Sequence, residues 1–139
     1  MAYWKNEKFE DKIRKRMQKD TDCEIIYPSN KEEKVISIDD YKEFAKNVVK
    51  NPYIEVKYYH RKSGCNRRAF ANEEVLVSIT EAEGNRLETC FHLHFSVDRC
   101  EEIMGMTKED RKRIFEDWID RKNKIGEKTN IEWVKKGDE

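Results

Sequence analysis

The sequence predicts an α+β fold: an antiparallel sheet, made of a four-strand meander plus an N-terminal hairpin, with helices packed mainly on one face. Three observations carry this. In residues 86–96, Leu87, Thr89, Phe91, Leu93 and Phe95 alternate with Arg86, Glu88, Cys90, His92, His94 and Ser96. Strict period two marks a strand with one buried and one open face. Near the C-terminus Ile114, Phe115, Trp118 and Ile119 recur at helical spacing. The order of segments, helix, two strands, helix, four strands and two helices, supplies the third.

The bulk composition bounds the answer. With 139 residues the chain is one domain, 1–139. It is 42% charged, yet 11% aromatic, so a thin but real core lies under a charged surface. Lys+Arg and Asp+Glu both number 29, so attraction to nucleic acid has to come from a local patch. No apolar run reaches membrane-spanning length, and the N-terminus lacks an apolar signal core. The expected location is therefore cytoplasmic, with no membrane partner, and the four cysteines are expected as free thiols.

Taken in order, Phe9, Ile13 and Met17 give a narrow apolar stripe and predict a helix over 6–19. Seven cations against three acids over 5–19 make that helix basic. "CEIIYP" and "VISI" predict a hairpin. Asp40 and Glu43 form a capping box for a helix at 40–50, which offers Phe44, Ala45, Val48 and Val49 to the core and stops at Asn51-Pro52. Strands follow near 53–61, 66–71, 74–81 and 86–96. Asp98 with Glu101 caps a short helix, and Thr107 with Asp110 a longer one to about residue 124. The tail is expected to add a strand through Trp133. The hairpin and helix ahead of a meander resemble the cone-shaped NTF2-like folds, in which a pocket lies between sheet and helices.

Apolar positions set an expected register, because a slip of one residue turns a whole strand over. Val77 falls beside Phe91 and Ile79 beside Thr89, which puts Leu76 beside His92 and Ser78 beside Cys90. A tight turn at Asn72-Glu73 then places Phe70 beside Val75, and a tip at Ser63-Gly64-Cys65 places Arg61 opposite Arg67. The open face would hold three rows: Arg61, Arg67, Ser78 and Cys90; Tyr59, Ala69, Leu76 and His92; Lys57, Ala71, Glu74 and His94.

That face suggests binding. "KYYHRKSGCNRRAF" carries five cations and no acid. Two arginines directly opposed would need an anion between them. Lys57, Tyr59, Arg61, Arg67 and His92 are the expected binding residues, cations beside flat rings. His92, His94 and Glu74 form the one candidate metal set, two imidazoles and a carboxylate that leave a coordination position open. No residue pattern marks a catalytic nucleophile, a phosphate-cradling loop or a general acid–base pair. The expectation is a small non-enzymatic binding or regulatory protein without a cofactor. It would be an inhibitor, phage or mobile-element encoded, that docks on a protein complex handling nucleic acid. The alternatives are direct nucleic-acid binding by the sheet face, and an enzyme using one divalent metal or a phosphorylated substrate. Terminal Trp4 and Trp133 add the expectation of a homodimer.

Overall fold

The computed structural model describes residues 3–4, 14–16, 38–60, 64–93, 99, 102–103, 105–125, 128–129 and 131–137. The hairpin expected over 23–37 lies outside them, as do Arg61, His94 and most of the basic N-terminal helix. Of that helix, residues 14–16 are helical.

The meander forms as expected. Its strands are β2 (Ile54–His60), β3 (Cys65–Ala71), β4 (Leu76–Glu81) and β5 (Arg86–His92). A two-residue β1 (Tyr3–Trp4) runs parallel to β5 at one edge, and the tail strand β8 (Ile131–Lys136) pairs antiparallel with β2 at the other. The sheet order is β1-β5-β4-β3-β2-β8. Two-residue strands β6 (Lys124–Ile125) and β7 (Lys128–Thr129) pair with each other before β8.

Helix α1 spans Ile38–Lys50, two residues earlier than the capping box implied. Asp39 and Asp40 therefore sit in its first turn, where they complement the helix dipole, with Lys50 in the last. It ends where Asn51 bonds back to the Asn47 carbonyl at 2.9 Å and Pro52 follows. Helix α2 (Lys108–Asn123) begins as its cap residues predict: the Asp110 amide donates to Thr107 Oγ1 at 3.2 Å.

The helices do not gather on one face. Two cores form, one on each side of the sheet. Trp118, Phe115 and Ile119 of α2 cover Ile54, Val56, Tyr58, Ala69, Ala71, Val77 and Ile79. Tyr41, Ala45 and Val48 of α1 cover Phe70, Leu76, Leu87 and Cys90 on the other side. Tyr41 donates to the Cys90 carbonyl at 3.1 Å, and Ser78 Oγ to the Ala45 carbonyl at 2.9 Å. The face expected to be open is thus closed by α1. The reason is legible in β4, where Leu76-Val77-Ser78-Ile79-Thr80 are all buried, as in a strand covered on both sides. This filled three-layer arrangement departs from the NTF2-like cone.

Register explains the rest. Between β4 and β5 the expected pairs Val77–Phe91, Ile79–Thr89, Leu76–His92 and Ser78–Cys90 all form. Between β3 and β4 the pairing is displaced by three residues: Ala71 meets Val77, Phe70 meets Ser78 and Arg67 meets Glu81. The turn is longer than two residues. Asn72 Oδ1 accepts from the amides of Glu74 and Leu76 at 3.1 and 2.9 Å, and Val75 takes φ 57°. An odd displacement turns β3 over. Phe70 enters the α1 core, while Ala69 and Ala71 go beneath α2. A second displacement of three between β2 and β3 turns β2 back, so Tyr58 lies in the core, as expected.

Candidate functional site at the end of the β2–β3 hairpin

The displaced register removes the opposed arginines. His60 pairs with Cys65, so Arg61 falls in the connection and Arg67 faces Tyr58 and Glu81 instead. A like-charge pair exists one residue away: Lys57 lies opposite Arg68. Its counter-anions belong to the chain itself. Arg68 Nη1 meets Glu55 Oε2 at 2.7 Å with both side chains largely buried, and Arg68 Nε donates to the Ala82 carbonyl at 2.9 Å. On its other side Lys57 has Glu132 of β8 as register neighbour. Arg68 is a structural cation.

Strand alternation places Lys57, Tyr59, Asn66 and Glu132 on the α1 side of the sheet and Tyr58, Arg67 and Ile131 on the α2 side. These seven residues, with Ala82, line an open cavity of about 300 Å³. Two cations stand against one carboxylate there. Three of the five expected binding residues, Lys57, Tyr59 and Arg67, come together; Asn66, Glu132 and Ala82 join them. Asn66 was missed because the displaced pairing alone sets it opposite Tyr59, and Glu132 because the partner of the tail strand is not written in the tail.

Arg67 stands cross-strand from Tyr58. Burial pushes the Tyr58 phenol up to about 12 against the lowering pull of the Arg67 guanidinium. Tyr58 therefore stays neutral at physiological pH and leaves the charge of Arg67 in place. Glu81, the cross-strand neighbour of Arg67, is engaged elsewhere. Its carboxylate accepts from the amides of Asn85 at 2.6 Å and Arg86 at 3.0 Å. Its slight burial would raise the carboxyl, but hydrogen bonds from the Arg86, Asn85 and Glu83 amides outweigh it and hold Glu81 below the usual carboxylate range.

His92 does not join the cavity. It is 4% exposed and hydrogen-bonded through Nε2 to the main-chain carbonyl of Glu74. Counting residues along β3 and β4, the Leu76–His92 row lies roughly 20 Å from the Tyr59–Asn66 row at about 3.3 Å per residue. For the metal set, the Glu74 carboxyl is raised by burial, with Arg111 opposing and Glu73 adding to the shift. Among the described residues, no three His, Cys, Asp or Glu side chains converge as metal ligands.

The basic N-terminal helix meets the sheet elsewhere. Arg16 lies over the Phe91 ring at 4.8 Å. Phe91 is two strands and four residues from Arg67, roughly 16 Å by standard sheet spacings. No helix among the described residues is long and apolar enough to cross a membrane. Comparison with protein-family models, curated proteins and solved structures finds no match.

Proposed function

We propose that the chain is a non-enzymatic binding protein that docks through the end of its β2–β3 hairpin on an acidic surface of a protein partner. One observation carries this reading. Of the cations on this hairpin end, Arg68 is consumed by Glu55 inside the fold, whereas Lys57 and Arg67 line an open cavity beside Tyr59 and Asn66. A tyrosine and an amide beside cations suit the rim and anchor of a docking surface.

The test is affinity for a captured partner, with nuclease treatment as control. Lys57→Glu with Arg67→Glu should weaken binding by at least about tenfold, because reversed charges meet the partner's acids. Arg113→Glu, on the exposed side of α2, should leave binding unchanged. Binding that survives the double reversal contradicts the proposal. Direct nucleic-acid binding is the second reading, favoured by Tyr59 standing beside Lys57. It requires capture to disappear on nuclease treatment and affinity to fall steeply with salt.

A further inference from the structure

We propose that β8 pairs antiparallel with β8 of a second copy, about a two-fold axis between Trp133 and Val134, joining two sheets into one. This concerns the sheet edge and holds whether or not the hairpin end binds a partner. β8 ends the strand order, with β2 on one side and no strand among the described residues on the other. At its centre Val134 is 49% exposed, the one large hydrophobic residue so exposed among the described residues. Beside it, Trp133 to Gly137 line a shallow cavity of about 350 Å³.

The bulge in β8 selects the register. Val56 pairs with Trp133 and Glu55 with Lys135, so Val134 is the extra residue. In a regular strand Glu132 and Lys135, three apart, would point to opposite faces. The bulge resets the alternation: Glu132 follows Lys57 and Lys135 follows Glu55, which share the α1 side, while Ile131 and Lys136 share the α2 side. A two-fold axis perpendicular to a continuous sheet must pair residues that share a face. Centring it between Trp133 and Val134 does so, setting Glu132 opposite Lys135 and Ile131 opposite Lys136 of the other copy. Moving the centre by half a residue either way sets Ile131 against Lys135, or Glu132 against Lys136, across faces.

The same register completes a ladder of charge. Across the junction the α1-side row reads Lys57 and Glu132 from one copy, then Lys135 and Glu55 from the other, and symmetry gives it twice. Bulges and lysines ordinarily guard an edge against indiscriminate strand addition. Here they leave one self-complementary register, in which each lysine on the α1 side meets a carboxylate.

Sedimentation over a wide dilution range tests this with the full chain. Wild type should dimerise. Lys135→Glu sets Glu against Glu132, and Glu132→Lys sets Lys against Lys135. Each variant alone should weaken self-association by at least about tenfold, since two like-charge contacts form. Mixed together, the two variants should form a heterodimer, because both contacts then pair opposite charges. Val134→Lys should also yield monomer, with circular dichroism confirming that it is folded. A wild type that stays monomeric at every concentration overturns the proposal, including one whose β8 amides are protected by residues 17–37 of its own chain. So does a dimer indifferent to Lys135→Glu, or a mixture of the two variants that does not associate.

Discussion

Val75 shows at the scale of one residue why the register escaped the sequence. A β-branched side chain is among the least suited to φ 57°, and a three-residue hairpin turn ordinarily places glycine there. Nothing in "ANEEVLV" marks a left-handed residue, so the sequence favours the shorter turn, which would turn β3 over. The conformation persists because Val75 is 1% exposed in the α2-side core and its carbonyl accepts from the Leu93 amide at 3.2 Å. Val75→Gly and Val77→Gly remove the same buried side chain, but the first also relieves left-handed strain of about 1–2 kcal/mol. Denaturant unfolding should find Val75→Gly less destabilising by roughly 1 kcal/mol; equal losses would contradict the strain.

Two carboxylates give opposite pH signatures. Glu81 is depressed, so its contribution is present above the ordinary carboxylate range and is lost as pH falls through its folded value. The stability gap between wild type and Glu81→Gln should therefore close on acidification. Glu74 is raised, so its contribution is present at acid pH and lost as pH rises through its folded value. Glu74→Gln should be neutral or stabilising near pH 7 in the same unfolding experiment, and a large loss there would contradict this.

Among the elements, β8 depends most on a single contact. Gly137 closes the strand at φ 88°, and a Cβ there would come within 2.7 Å of the buried Tyr53 ring. Gly137→Ala should cost roughly 1–3 kcal/mol by backbone strain alone, plus the ring's displacement. Amide exchange should speed up along 131–136, and a variant as stable as wild type would show that β8 is not seated this way. The strand itself was legible from the position of Trp133 in the tail. Its neighbour was not, since pairing with β2 depends on the non-local packing of Trp133 against Phe115, ring centroids 6.3 Å apart. Helix α2 and β5 were legible because each carries its own period. The turn between β3 and β4 was not, because the Asn72 side chain and the left-handed Val75 settle it rather than a turn motif.

For the whole molecule, the two-sided sheet decides where a partner is met. Alternation along 86–92 suggests one open face, and α1 fills it, so that 76–80 are buried on both sides. With both faces covered by helices, the hairpin end retains Lys57, Tyr59, Asn66 and Arg67 around a cavity, while His92 is committed to the fold. Hydrogen exchange of the protein alone and bound to its captured partner tests this placement directly. Exchange should slow over 57–67, with the 72–75 turn and the exposed side of α2 unchanged. Protection confined to 72–75 or to α2, with 57–67 exchanging as in the free protein, would contradict it.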